Sequence, residues 1–430
     1  VLKDAAATAI YGARAANGVI IITTKQGNKE GKVRVSYSGY VSASVMANNG
    51  FNMLGAWDYM KAVQKSQENQ VNVLGEDPTT HSQFGNITNG DLQMPYMIVP
   101  NGFSKEEAMA RWGSYEGIVA DYQDDKSHSY ALSSYYYIKD ILGGTEEEAR
   151  RGTDWYDMVV RTGWSQNHEL SVQGGGEKGQ YAMSLAYQNR QGTIKNSDFE
   201  RYSLRVNTNS SVMKTKGERG VMGDGNAFGS TYTMNAWVPA YNVGGDFGGS
   251  VGDGGRNYSA LAYVENAKDN WDRMFRNQSA FFAELKDPWI KGLTLRSQFA
   301  INLNGGWGVS MTKDRKAYDK EYSAATGNYL TESASWTFGW QWTNTATYKF
   351  KLADKHDFTV VAGTEALKQN LGRNITGTRY IYQFENDPNT WTLNNGGASN
   401  QANTGSMGSK TTMFGLFGRL DYSYMGKYLL

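Results

Sequence analysis

Residues able to carry chemistry are few in this chain, and they are scattered. Among 430 residues there is no cysteine, which removes thiol nucleophiles, thiolate zinc sites and disulfides. The four histidines, His81, His128, His168 and His356, stand far apart, so no close pair on one helix face is available to a metal. Gly174, Gly176 and Gly179 have the G-x-G-x-x-G spacing that lets a backbone approach a pyrophosphate at a helix N-terminus. The alternating run Tyr181 to Tyr187 follows them and no helical pattern does, so a hairpin turn is expected instead. The stretch Gly244 to Gly255, with Asp246 and Asp253, lacks the alternate acidic ligands and terminal glutamate of a calcium loop and reads as a surface connection. Asp121, Asp124 and Asp125, or Glu146 to Glu148, have the residue type for glycoside hydrolysis. Glu146 to Glu148, however, fit a first helical turn, where negative charge is favourable. No catalytic, cofactor or metal site is therefore expected. The candidate ligand contacts are aromatic rings on connections: Trp237, Tyr241, Trp271, Tyr380, Tyr382 and Trp391.

Composition narrows the classes further. The chain is 40% hydrophobic and 20% charged, with 43 Lys+Arg against 42 Asp+Glu. A net charge of +1 supplies no basic field for nucleic acid, which is excluded as a partner. Fifty glycines against six prolines, with 28 Tyr, 16 Phe and 12 Trp, favour a turn-rich β protein. Arg14 and Asn17 interrupt the most apolar part of the N-terminal region, so no membrane-spanning helix is expected. Residue 1 is Val and no leader pattern precedes the first element, so the chain is expected to be a fragment whose signal sequence lies upstream. A soluble β protein and a membrane β-barrel remain.

The elements behind these residues follow from periodicity. Asp4 can cap the Ala-rich helix Ala5 to Tyr11, Gly12 can end it, and Gly18 precedes the buried strand Val19 to Thr24. From Lys32 the period becomes two, with Val33, Val35, Tyr37 and Val41 opposed by Arg34, Ser36, Ser38 and Ser42. The pattern returns at Tyr181 to Gln188, Leu293 to Asn302, Trp336 to Leu352 and Phe414 to Tyr424. Short connections at Gly174–Gly179, Asp287–Gly292, Asp354–Asp357 and Met425–Lys427 alternate with long ones. The long ones are expected over about Val45–Arg161, Asn235–Arg276, Asn304–Ser333 and Lys368–Lys410. Tight turns on one side and long loops on the other are the habit of an outer-membrane barrel. The first long loop is expected to carry helices, at the Gly/Pro-free run around Trp57 to Val63 and at the capping boxes Ser104-x-x-Glu107 and Thr145-x-x-Glu148.

The run from Val1 to Lys25, with Asp4, Tyr11, Gly12, Arg14, Asn17 and Gly18, resembles the end of the plug domain in SusC/RagA-type TonB-linked outer-membrane transporters. Thr153-Asp154-Trp155, Arg161-Thr162-Gly163, Gln166-Asn167-His168 and Lys195 through Ser203 follow in family order. Phe417-Gly418-Arg419, Asp421 through Tyr424 and Tyr428-Leu429-Leu430 resemble a later barrel hairpin. The resemblance implies an all-β fold: a transmembrane antiparallel barrel, part of one with 22 strands, plus the C-terminal end of an α/β plug. Residues 1–30 would be plug and 31–430 the N-terminal half of the barrel with long extracellular loops. It further implies a cell outer-membrane location, a SusD-like surface lipoprotein over the mouth, and TonB, reached through a segment missing here. Import of oligosaccharides or peptides would follow, with no enzyme activity and no cofactor. A soluble β-rich protein that binds or cleaves carbohydrate is the alternative, favoured by the aromatic content and disfavoured by the alternation of short and long connections.

Overall fold

The computed structural model describes residues 32–47, 53–75, 134–176, 179–206, 208–216, 234–241, 259–313, 328–395 and 401–426, with a few short pieces between these segments. The plug-like stretch, with Asp4, Tyr11, Gly12, Arg14, Asn17 and Gly18, lies outside the described residues. So do the Ser104 capping box and the Asp121–Asp125 cluster.

One antiparallel sheet dominates. Its strands are β1 (Arg34–Ser44), β2 (Gly163–Gly176), β3 (Gly179–Gln191), β4 (Asp198–Arg205), β5 (Thr208–Lys216), β6 (Trp271–Lys286) and β7 (Leu293–Thr312). A small separate hairpin, β8 (Arg315–Ala317) and β9 (Lys320–Tyr322), precedes β10 (Tyr329–Leu352) and β11 (His356–Tyr380). Then come β12 (Gln401–Met407), which pairs only with β11, β13 (Thr411–Tyr424) and β14 (Tyr428–Leu429). Apart from β8, β9 and β12, each strand pairs with its predecessor in the chain, so the sheet is an up-and-down meander.

The four expected tight turns are found between β2 and β3, β6 and β7, β10 and β11, and β13 and β14. The G-x-G-x-x-G glycines form the first, with Gly176 opposite Gly179. A fifth tight turn joins β4 to β5 on the same edge. The opposite edge carries the long connections 45–162, 217–270, 313–328 and 381–410, together with the short link 192–197. Two loops are shorter than expected, 313–328 and 381–410. β7 continues through Gly305, Gly306 and Gly308 to Thr312, β10 begins at Tyr329 rather than after Ser333, and β11 runs past Lys368 to Tyr380. Glycines dilute an apolar alternation, but they do not interrupt a ladder paired on both sides, here with β6 and β10. β6 likewise opens at Trp271, inside the expected loop.

Because side chains alternate across a strand, the register sorts the sheet into two faces. One carries Val35, Val41, Leu170, Leu185, Leu204, Phe281, Phe299, Trp342, Leu416 and Leu420, all exposed, up to 76% at Leu416. The other carries Ser36, Glu169, Ser184, Arg201, Gln298, Thr343, Thr345 and Asp421. An apolar face left this bare requires a nonaqueous neighbour. Nearest the tight turns, Tyr348, Phe350, Phe358 and Tyr422 form a continuous aromatic row on the apolar face, with successive ring centroids 5.0 Å apart. Polar groups on this face satisfy one another. Ser297 donates to Asn344 Oδ1 at 2.7 Å, and the Trp342 indole donates to Ser297 Oγ at 3.0 Å.

On its outermost turns the same apolar face is covered. Val309, Met311 and Leu330 are buried there beneath Tyr382 and Trp391 of the 381–395 connection, with Trp271 packed against the group. Asn328 ties this loop down: its Oδ1 accepts from the Tyr382 amide at 2.7 Å, and its Nδ2 donates to the Tyr382 carbonyl and to Glu385. Among the described residues no helix is long and apolar enough to cross a membrane.

β10 and β11 contain one irregularity. Phe338 pairs with Leu371 and Trp340 with Lys368, so β11 holds Gln369 and Asn370 against the single Gly339. Asn370 takes φ 58°, a left-handed conformation that asparagine tolerates.

Candidate functional site: the polar face and the loop junction

The polar face is a network of short side chains with several paired charges. Arg296 on β7 meets Glu284 on β6 at 3.4 Å and donates to Gln298 at 3.1 Å. On the same face Lys351 pairs with Asp357, and Arg419 with Asp421. Glu365, 4% exposed, accepts from the Gln341 amide at 2.6 Å. Such a surface stays hydrated and presents donors and acceptors, with Arg201, Arg276 and Lys349 adding further cations to the paired ones.

Above it, the connections are pinned at one junction, and the chain folds there for local reasons. Thr145 caps α2 (Glu146–Arg151) through a capping box with Glu148, as the sequence pattern predicts. Asp154 caps α3 (Trp155–Val159), accepting from the Asp157 amide at 3.1 Å. The Trp155 indole donates to the Asn235 carbonyl at 3.1 Å, and the Thr153 amide donates to the Ala236 carbonyl at 2.8 Å. Arg161 spreads its guanidinium over the Gly192 and Ser197 carbonyls, each at 3.1 Å, and the Asp198 carboxylate at 2.9 Å. Lys195 donates to the Met158 carbonyl at 2.9 Å at the C-terminal end of α3, where a cation is favoured. Asn196, with φ 61°, reaches the Val264 carbonyl on α4 (Ala260–Asn266) at 3.3 Å. The short link 192–197 is thus the anchor on which two long connections converge. A buried cluster of Trp155, Val159, Met234, Val238, Leu261, Tyr263 and Val264 seals it.

In the first long connection α1 (Ala56–Leu74) occupies the expected helical run, and its Tyr59 ring lies 4.9 Å from Trp237. Glu146 collects Arg150, Lys139 and Tyr135, with Arg150 and Lys139 at 2.9 and 3.0 Å. The hydrogen bonds from Arg150, then Lys139 and Tyr135, hold its carboxyl at about 2, well below the ordinary 4.5. The same contact with Glu146 raises Lys139.

The six candidate aromatic contacts separate into three places. Trp271, Tyr382 and Trp391 lie over the apolar side of the wall. Tyr382 is 2% exposed, and its hydroxyl donates to the Thr390 carbonyl at 2.7 Å. Trp391 is 7% exposed, and its indole nitrogen has no partner among the described residues. Tyr382 and Trp391 belong to the covering loop, and Trp271, the first residue of β6, packs against it. Trp237 and Tyr241 are half-buried against the junction cluster, Tyr241 stacked on Phe247. Tyr380 alone ends on the polar face, at the loop edge beside Tyr329, with ring centroids 5.8 Å apart. Tyr329 escapes sequence reasoning because the strand that carries it reads as loop; counting by twos back from Trp336 would have placed it on the polar side. Among the described residues no group of three or more His, Asp or Glu is placed to hold a metal.

No family model matches the sequence. The chain is similar to TonB-dependent receptor P26 of Formosa agariphila, with 24% identity over 447 residues, covering 100% of this chain and 37% of that protein. It is similar to TonB-dependent receptor SusC of Bacteroides thetaiotaomicron, with 31% identity over 207 residues, covering 48% of this chain and 13% of the relative. Among solved structures, the RagAB peptide importer in its closed-closed state superposes with a TM-score of 0.67 at 21% identity, over 98% of this chain and 44% of that one. Its open-open state gives 0.66 at 21% identity, over 99% and 44%. The chain therefore spans well under half the length of the relatives it matches.

Proposed function

We propose that this chain, a stretch of a SusC/RagA-type TonB-dependent receptor, forms part of the wall of an outer-membrane barrel that imports large hydrated nutrients. The single observation that carries the reading is the division of one continuous sheet into a bare apolar face and a polar, charged face. The first matches lipid and the second matches water and cargo. Residues 1–30 would belong to the plug inside the barrel, and residues 31–430 to the barrel with its outward loops. A SusD-like lipoprotein would close over the loop edge, and TonB would act on the plug through a segment outside this chain.

The cargo in this reading is an oligosaccharide or a peptide; the peptide importer among the structural neighbours supports the second. Tyr329 and Tyr380 would meet cargo on the polar face, since paired rings stack on sugars and peptide side chains alike. Trp237 and Tyr241 would act at the junction where the loops converge. The test is recovery of the full-length protein from outer membranes in mild detergent, followed by mass spectrometry of what co-purifies. A lipoprotein with bound peptide or glycan is the expected result. A protein that stays in solution without detergent would overturn the reading.

A further inference from the structure

We infer that the polar face carries a track of arginines, Arg190, Arg201, Arg205 and Arg276, along which acidic peptide cargo passes; this deepens the import reading above and rests on it. The register brings the four together. Ser203 on β4, Ser211 on β5 and Arg276 on β6 form one row, and Arg201 and Arg205 stand two positions to either side of Ser203. With strands about 4.8 Å apart and residues about 3.3 Å apart along each, Arg276 is about 12 Å from Arg201 and from Arg205, Cα to Cα. Those two are about 13 Å from each other. Arg190 lies opposite Phe199, two positions from Arg201 toward the loop edge. The series therefore runs from the loop edge, where β3 ends at Gln191, to the tight-turn edge, where β4 ends at Arg205.

None of the four has an ion-pair partner among the described residues, and Arg190, Arg205 and Arg276 are exposed. Acids that could neutralise them are few. Glu284 on β6 is held by Lys286 and Arg296, and Asp272 is engaged elsewhere. Glu169 shares the row of Ser203 two strands away, at about 10 Å, and makes no ion pair. Four guanidinium groups facing one such carboxylate leave this part of the wall positive. A guanidinium without a partner offers its fork to a carboxylate, and several weak sites in series let a bound anion move on. The spacing selects a peptide among acidic cargoes. An extended peptide also advances about 3.3 Å per residue with alternate side chains on one face, so carboxylates four residues apart match Arg201 and Arg205.

The experiment measures uptake by cells carrying the full-length receptor against cells lacking it. Its probes are isotope-labelled nonapeptides in which serine alternates with glutamate, glutamine or lysine. Through the wild type the glutamate peptide should enter about tenfold faster than the glutamine peptide, with the lysine peptide slowest. Arg201→Gln, Arg205→Gln and Arg276→Gln together should abolish that preference, whereas Arg201→Lys, Arg205→Lys and Arg276→Lys should keep most of it. Heat-modifiable gel migration shows that each variant remains a folded barrel. Equal receptor-dependent uptake of the glutamate and glutamine peptides, or a preference that survives in the glutamine variant, would overturn the track and leave the barrel reading standing. Stronger competition by oligogalacturonate than by unlabelled glutamate peptide would overturn the peptide assignment in favour of an acidic glycan. A receptor that needs no detergent would overturn the barrel reading as well.

Discussion

Tyr329 and Tyr380 face each other across β10 and β11, ring centroids 5.8 Å apart, at the loop edge of the polar face. The pair is the outermost aromatic contact on the side of the wall that cargo would meet. Tyr329→Ala and Tyr380→Ala should each lower cargo affinity by about tenfold in the purified full-length receptor, since aromatic contacts contribute roughly 0.5–1.5 kcal/mol beyond their area. Tyrosine-to-phenylalanine changes should retain most of it. Isothermal titration with the co-purified cargo checks this, and unchanged affinity in both alanine variants would remove the pair from the site.

Arg161 should be the most sensitive side chain of the junction. It makes three charge-assisted hydrogen bonds across the link 192–197. Arg161→Ala should cost about 1.5–3 kcal/mol locally, and it should expose the 153–163 and 192–198 segments to limited proteolysis. Lysine should rescue only partly, because a point charge cannot span two carbonyls and a carboxylate in the fork geometry.

The α2 surface should loosen in acid. The Glu146 carboxyl is held at about 2 against an ordinary 4.5. Its contribution is therefore full above 4.5 and fades as pH falls from there through 2. Hydrogen exchange of the Ser134–Arg151 region should accelerate over that window. Glu146→Gln should abolish the acid dependence while raising exchange at neutral pH, and an identical pH profile in the variant would contradict the assignment.

Adjacent residues on opposite faces should respond oppositely to charge. Phe299 stacks on Trp340, with centroids 6.1 Å apart, on the apolar face, whereas Gln298 already accepts from Arg296 on the polar face. Phe299→Arg should destabilise the barrel by about 2–4 kcal/mol. Gln298→Glu should be close to neutral. Unfolding in urea from detergent or lipid reports both.

How much of this was legible in the sequence depends on the element. The alternations at Tyr181–Gln188 and Trp336–Leu352 gave strands in the right places, and the tight turns followed. The upper reaches of β7 and β11 were hidden because Gly305, Gly306, Gly308, Gly372 and Gly377 dilute the apolar period, and only pairing with neighbouring strands reveals them. β5, Thr208–Lys216, has two apolar residues in its whole length, and it is held by ladders on both sides. The aromatic candidates show the other limit. Trp271, Tyr382 and Trp391 have the same composition and the same loop-like setting as Tyr380. What separates them is which face they end on, a property of long-range register that no local pattern encodes.

The bulge at Asn370 has a consequence for how such a wall can change over time. An extra residue on β11, absorbed there, keeps Lys368 and Leu371 on one face although three positions separate them. The segment 356–368 and the segment 371–380 are therefore phased independently. Drift in the upper segment, which carries Tyr380 and supports the covering loop, can proceed without turning Val360 or Ala366 inward. Under the barrel reading proposed above, the loop-side segment can diverge while the segment on the bare apolar face stays in step.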